Sequence, residues 1–439
     1  MTKPQELLQK IRATIKEYCD ETYDFSFNPG KPVVRLHEPT HSGEEIYAAV
    51  ETMLSTFTTM GKKVRAFEQQ YAAYAGTHYG VMSNSGSSAN LLAVAALANP
   101  FTTDYLKPGD EVIVPALSWS TTIWPLIQHN LVPVLVDCQL DDFNLDLNKL
   151  AEAIGPKTRA IKLVHVYGNP CNMDGMMALA KKHNLFVIED CCEAMGASYD
   201  GKKVGNFGHV SNFSFFFSHH ISTMEGGISV SNDFNLTETM RILRAHGWSR
   251  EADEHQKYVS MYPDIDPRFI FINVGYNLRP TEVNAAIGQI QLPKLDNLID
   301  KRRETAAFFQ QQLAKYEEFF RFQQETPKGK HVWFGFSVIL KDNAPFTVKD
   351  ITNYMQQHHI ETRPIIAGNM ARHPAFKLYQ HRIGGDLSSA DTVMKNGFAF
   401  ACHHAVDQQA REYIVNTIDT FIKQHAPSRC HSSIKEVIV

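Results

Sequence analysis

The sequence predicts an α/β fold: a mostly parallel central sheet with helices on both faces, plus a smaller C-terminal α/β lobe. Three observations carry this. Short β-rich runs at 80–82, 112–115, 132–136, 160–166 and 185–188 alternate with helical stretches at about 88–98, 121–129, 147–154 and 173–183. That is the pattern of strands joined by crossover helices. Pro-Gly, Asp-Gly and Gly-Asn pairs punctuate the joins. Finally, 439 residues are enough for two lobes, and a long helical region runs from Thr281, with a break near Pro293, to about Tyr316. It is read as the link between them.

In chain order, residues 3–18 place Leu7, Leu8, Ile11 and Ile15 at helical spacing. Residues 25–44 carry Pro, Gly and His and read as a crossing arm. Further helices are expected at 44–54, from 64 to about 74, and at 235–246. The second lobe is expected to hold strands at 332–340 and 361–366 and helices near 347–358 and 407–424. The expected division is an N-terminal helix and arm (1–40), a large cofactor-binding domain (41–295), a small C-terminal domain (296–426) and a loose tail (427–439). No internal repeat or low-complexity segment stands out.

A hydrophobic content of 44% and a charged content of 21% are those of an ordinary soluble globular chain. A net charge of −4 gives no reason to expect nucleic acid or a membrane surface as partner. No apolar run reaches the roughly 18 residues that span a bilayer. The N-terminus is a charged amphipathic helix, unlike a signal peptide, so the expected location is cytoplasmic. The seven cysteines, at 19, 138, 171, 191, 192, 402 and 430, form no C-x-x-C motif and suggest neither disulfides nor zinc. None lies between Cys192 and Cys402.

The chemistry gathers around 211–229, SNFSFFFSHHISTMEGGIS. A strand-like run, 213–217, delivers Ser218, His219 and His220 into a turn. Glu225-Gly226-Gly227 follow, then a second strand at 228–230. A reactive group carried from a strand into a Gly-rich turn is held on a rigid element. An imidazole there can carry protons near neutral pH, though the same pair fits two ordinary loop residues. Three further constellations share this placement at the end of a strand or the start of a helix. Gly86 and Ser87, in SNSGSSAN at 83–90, open an apolar helix where backbone N–H groups suit a phosphate; a plain serine N-cap explains the same residues. Asp190 and Glu193 lie at and just past the end of a buried-looking strand, placed to reach a ligand in the crevice. Trp119 follows the strand at 111–115 and offers a flat ring, although core packing is the commoner fate of Trp. Asn277, before the long helix, can donate to a phosphate or simply close a turn.

Together these segments resemble the DegT/DnrJ/EryC1/StrS sugar aminotransferase family over nearly the whole chain. The match rests on SGSSANLL at 85–92, PGDEVI at 108–113, IED at 188–190, EGG at 225–227 and GYNL at 275–278. The resemblance implies the fold type I architecture of transferases that use pyridoxal 5'-phosphate (PLP). In that family the loop at 214–227 carries a lysine that tethers the cofactor. Here His219 stands in its place, which resembles the family's histidine-bearing branch, the NDP-4-keto-6-deoxyhexose 3-dehydratases. An imidazole forms no useful Schiff base, so the expected cofactor state is untethered pyridoxamine 5'-phosphate (PMP).

The resemblance implies a role for each residue. Gly86, Ser87 and Ser214 hold the cofactor phosphate, and Asn277 reaches it from a neighbouring subunit of a homodimer. Trp119 stacks on the ring, Asp190 pairs with the pyridine nitrogen, Glu193 lies near the ring hydroxyl, and His219 is the acid/base. The implied reaction removes the C3 hydroxyl of a nucleotide-linked 4-keto-6-deoxy sugar, with L-glutamate regenerating PMP, in deoxysugar and O-antigen biosynthesis. Within the branch the loop favours the type acting on GDP-4-keto-6-deoxymannose. The type acting on CDP-4-keto-6-deoxyglucose takes an iron–sulfur cluster on mid-chain cysteines that this sequence lacks. Its likeness persists in the N-terminal helix, in WFGF at 333–336 and in 367–369. An ordinary aminotransferase needs a lysine near 219, and the nearest are Lys203 and Lys257. A non-catalytic binder of the same ligands is the remaining alternative. Arg363, Asn369 and Arg372 are candidates for the sugar or its phosphates.

Overall fold

In the computed structural model, residues 2–426 are described, and the expected tail lies outside them. Nine strands form up to residue 231: β1 (Tyr79–Ser83), β2 (Glu111–Pro115), β3 (Val132–Val136), β4 (Thr158–Val164), β5 (Phe186–Asp190), β6 (Ser198–Tyr199), β7 (Lys202–Lys203), β8 (Val210–Ser214) and β9 (Gly227–Ser231). Six follow: β10 (Phe320–Phe322), β11 (Gly329–Lys330), β12 (Phe336–Leu340), β13 (Thr362–Arg363), β14 (Arg382–Ile383) and β15 (Gly397–Phe400). The main sheet has the order β1-β9-β8-β5-β4-β2-β3-β14. Its pairings from β8 across to β14 are parallel, while β9 runs antiparallel to both β1 and β8. The central parallel strands β2 to β5 are short, largely apolar and almost wholly buried, as expected of a sheet covered by crossover helices. β10, β12, β15 and β13 make a separate antiparallel sheet, and β11 joins the β6–β7 hairpin.

The helices follow the expected spans with ends moved by one or two residues: Gly86–Leu97, Ser120–Gln128, Leu147–Ala153, Met173–Lys182 and Phe234–Arg244. The N-terminal helix, Lys3–Thr22, is longer than expected, and its half-buried stripe of Leu8, Ile11 and Ile15 leads to the buried Cys19. The long helical region is Glu282–Gln291 and Leu295–Leu313, joined by a 3-10 turn that contains Pro293. Glu282 ties it to the rest. Its carboxylate accepts the backbone N–H groups of Gly61, Lys63 and Val64, capping the Lys62–Ala75 helix where those donors lack intrahelical partners.

Three expectations change. The strand at 213–217 ends at Ser214. Phe215 still bonds to Gly226, but Phe216 and Phe217 leave the sheet and are partly exposed, Phe216 at the rim of the cavity described below and Phe217 against His37. The strand expected at 332–340 begins only at Phe336, because Trp333 takes a left-handed turn (φ 48°) and stacks on His331 at 3.9 Å. The strand at 361–366 shrinks to Thr362–Arg363. No helix among the described residues is long and apolar enough to cross a membrane.

Candidate active site

The C-terminal ends of β4, β5 and β8 open onto a cavity of about 310 Å³. Of the residues expected in the site, Gly86, Ser87, Trp119, Asp190, Glu193, Ser214 and His219 all line it. They come from four stretches spread over more than 130 positions, so their convergence is the work of the sheet. Asn277 does not join them within the chain. It is exposed, its backbone bridges to Ala245, and its Oδ1 accepts from Arg279.

One end of the cavity is built for an anion. Ser85 caps the Gly86–Leu97 helix by accepting the N–H of Ser88, which leaves other first-turn donors free. Two glycines allow the approach. A Cβ on Gly86 falls 2.4 Å from Ser214 Cβ, and one on Gly227 falls 2.3 Å from the Ser85 carbonyl oxygen. Only bare backbone lets the helix start, Ser214 and the Glu-Gly-Gly strand meet here.

The cavity also holds Asp190, only 5% exposed. Its Oδ2 accepts from Thr122 at 2.7 Å and its Oδ1 from the Cys192 N–H at 3.2 Å. Thr122, from the helix after Trp119, went unnoticed in the sequence; its one signal is a position three residues past that ring. Trp119 is half exposed on the wall. Glu193 accepts the Tyr167 N–H at 2.9 Å, and burial pushes its carboxyl up to about 7, opposed by that bond and by Arg363.

The two histidines separate cleanly. His220 is buried and shares a hydrogen bond with the Val332 carbonyl. His219 faces the cavity beside Phe334, with ring centroids 5.2 Å apart, and its Nδ1 is enclosed without a partner. Burial lowers its pKa to about 4; Asp190 opposes this, and Arg302 and Arg363 add to it. The imidazole is therefore neutral at pH 7 and free to take up a proton. Arg302 is another residue that sequence reasoning missed. It is buried in the lobe link and donates to the carbonyls of Trp333, Phe334 and Cys402, so it both fixes the Phe334 loop and supplies positive charge near His219.

Of the three candidates for the sugar, Arg363 lines the cavity. Asn369 and Arg372 do not. Both bind Asp391, and Asn369 is fully buried, so they brace the second lobe instead. The described residues that line the cavity include no lysine.

These residues fit a pyridoxal-type cofactor on their own geometry. The glycine cradle beside Ser214 suits its phosphate, the Thr122-braced carboxylate suits a pyridinium, and the imidazole with its unpartnered Nδ1 lines the same cavity. The same carboxylate–histidine chemistry does not make a metal centre at His165, Glu189 and Cys191, although the three are close together. Glu189 is already saturated by the N–H groups of Gly205, Phe207 and Gly208, the Ser211 hydroxyl and His165.

Comparison with known proteins agrees with this geometry. Residues 39–419 match the DegT/DnrJ/EryC1/StrS aminotransferase family. The chain is 40% identical over 377 residues to the GDP-4-keto-6-deoxy-D-mannose 3-dehydratase of Yersinia pseudotuberculosis, covering 85% of this chain and 94% of that one. It is 32% identical to the dTDP-4-dehydro-2,6-dideoxy-D-glucose 3-dehydratase of Saccharopolyspora spinosa, over 94% and 92% of the two. Among solved structures, GDP-4-keto-6-deoxymannose-3-dehydratase with a trapped PLP-glutamate geminal diamine matches with a TM-score of 0.80 and 36% identity, over 87% of this chain and 99% of that one. A histidine-to-asparagine variant of the same enzyme with bound GDP-perosamine gives 0.83 and 36%, over 88% and 100%. The chain belongs to the DegT/DnrJ/EryC1/StrS aminotransferase family, with its fold type I architecture.

Proposed function

We propose that this protein is a PMP-dependent 3-dehydratase that removes the C3 hydroxyl of a GDP-linked 4-keto-6-deoxyhexose of the 4-keto-6-deoxymannose type, with L-glutamate restoring PMP. The observation that carries the reading is His219 in a cavity whose lining, among the described residues, holds no lysine. The family likeness and the named relatives support the substrate class and the glutamate step.

PMP, when bound, supplies an amine for the C4 ketone and a ring that accepts electrons. The residues do the rest. The first turn after Ser85 and Ser214 hold the phosphate, and Trp119 covers the ring face. Asp190, anchored by Thr122, keeps a proton on the pyridine nitrogen. The neutral His219 imidazole takes the proton from the cofactor's C4′ carbon and returns it to the departing C3 hydroxyl. A proton carrier of this kind contributes about 10²–10⁴-fold in rate. Glu193 lies near the ring hydroxyl, and Arg363 is the cavity's cation for the substrate.

The proposal includes a homodimer in which Asn277 reaches the partner's phosphate site. Its support is the exposed apolar band of Phe269, Phe271 and Val274 close to Asn277, a surface that a second copy would cover. The large and small lobes divide at about 295/296, where the Leu295–Leu313 helix begins. The proposed setting is the cytoplasm, in keeping with free thiols at the six described cysteines.

The test mixes purified protein with PLP and excess glutamate, then adds the GDP-linked keto sugar. The account expects the absorption band of the amine form, release of 2-oxoglutarate, and then one ammonia per sugar consumed. An amino sugar as product would overturn the dehydratase reading in favour of aminotransfer.

A further inference from the structure

β4 reads TRAIKLV, and its fifth residue, Lys162, is fully buried. The register pairs Lys162 with Ile188 and Val164 with Asp190 across β4 and β5. Neighbouring residues in register point to the same side, so Lys162 lies on the cavity face of the sheet, one pleat repeat deeper than Val164 and Asp190. Its Nζ has no hydrogen-bond partner. A leucine would fill this place without the cost of desolvating an ammonium, so packing does not account for the residue.

The groups that act on the ammonium are Asp190 and Cys192; burial pushes its pKa down to about 8, and those two oppose the fall. The other polar side chains of this layer are neutral. Asn90, from the helix that starts the phosphate site, bonds to Asn212 of β8 and approaches Cys192 Sγ at 3.7 Å; Asn212 in turn takes the Ser229 hydroxyl of β9. Thr122 occupies one oxygen of Asp190 from the helix side. The ammonium thus has a single carboxylate for its charge, and that carboxylate is also the one proposed to pair with the cofactor ring.

We propose that Lys162 is the counter-cation of Asp190 beneath the cofactor ring, and that it releases its proton to solvent when a protonated ring nitrogen takes up the other side of that carboxylate. Lys162 is a positioning residue: it acts on the cofactor through Asp190. The inference rests on the proposed pairing of Asp190 with the ring nitrogen. With the ring absent, Asp190 is the carboxylate that opposes the fall in the Lys162 pKa. With the ring present, two cations compete for one buried carboxylate, and the lysine is the one that gives way. The consequence is a cofactor affinity that rises with pH. Linkage of one proton means one power of ten in affinity per pH unit below pH about 8.

The experiment measures PMP binding to the cofactor-free protein between pH 6 and 9, by absorbance and by calorimetry in two buffers of different ionisation heat. Wild type and Lys162→Met are compared, because the titration of PMP itself is common to both. The expected result is a pH slope steeper in wild type by close to tenfold per unit below pH 8, with up to one more proton released per site. Lys162→Arg, which keeps its charge, is expected to bind PMP at least tenfold more weakly than Lys162→Met at pH 7. Equal slopes and equal proton release in wild type and Lys162→Met would overturn the proposal even with PMP binding intact. Failure of wild type to bind PMP would instead overturn the cofactor reading itself.

Discussion

Replacing Gly86 with alanine tests whether the phosphate end of the cavity depends on bare backbone. The added methyl would stand 2.4 Å from Ser214 Cβ and 2.7 Å from its Oγ, where ordinary contacts begin near 3.4 Å. Relieving such a clash costs about 1–3 kcal/mol. Alanine's better helix propensity offsets up to about 1 kcal/mol, and less in a first turn. A net loss of roughly 1–2 kcal/mol remains, and it falls on the two groups proposed to hold the phosphate. At 1.4 kcal/mol per tenfold, PMP should bind about 5–30-fold more weakly. The assay is titration of the cofactor-free protein with PMP, followed by absorbance, with urea unfolding as the measure of fold stability. Combining Gly86→Ala with Ser214→Gly removes two of the clashing atoms and should recover part of the unfolding loss, a coupling readable as a double-mutant cycle. Wild-type affinity and stability in Gly86→Ala would refute the reasoning, since the helix start and Ser214 would then not be packed as described.

Three other outcomes are expected. His219→Lys, loaded with PLP and treated with borohydride, should carry the cofactor covalently at position 219, whereas wild type should yield no lysine adduct on peptide mapping. The fall of the Lys162 pKa from an ordinary 10.5 to about 8 means the unfolded chain binds more protons between those values. Stability should therefore rise with pH across that window, and Lys162→Met should remove the rise and stabilise the cofactor-free protein at pH 7 by up to about 3 kcal/mol, measured by urea unfolding at several pH values. Glu193, raised to about 7, should give the bound cofactor's spectrum an inflection near that pH that Glu193→Gln abolishes.

The large lobe was legible because its strands are short, apolar and separated by helices of regular length; the run at 132–136 became β3 with the same ends. The second lobe was less so. β14 has only two residues, yet it crosses back to extend the main sheet beside β3, a pairing that no local pattern announces. WFGF at 333–336 reads as strand, but Trp333 turns left-handed so that Phe334 can reach His219. The residues proposed for the site were chosen by type and order along the chain, and all but Asn277 line one cavity. The residues that support them were not chosen, because Thr122, Arg302 and Phe334 are ordinary in composition and meet the site only through tertiary packing. Lys162 is the sharpest case. One lysine in an apolar strand reads as an outward-facing residue, and only the covering of both sheet faces buries it. Choosing between His219 and His220 rested on the resemblance, and the geometry supports the same choice: one ring lines the cavity and the other is spent on the Val332 carbonyl.

The central claim is that His219, with no tethering lysine, moves the proton that drives loss of the C3 hydroxyl. The direct measurement is ammonia release from the GDP-linked 4-keto-6-deoxy sugar by PMP-loaded His219→Asn, beside wild type, with PMP binding checked on the same sample. The account predicts unchanged occupancy by PMP and a rate lower by at least about 10²-fold. Near-normal release at full occupancy would contradict it and place the proton transfer on another group.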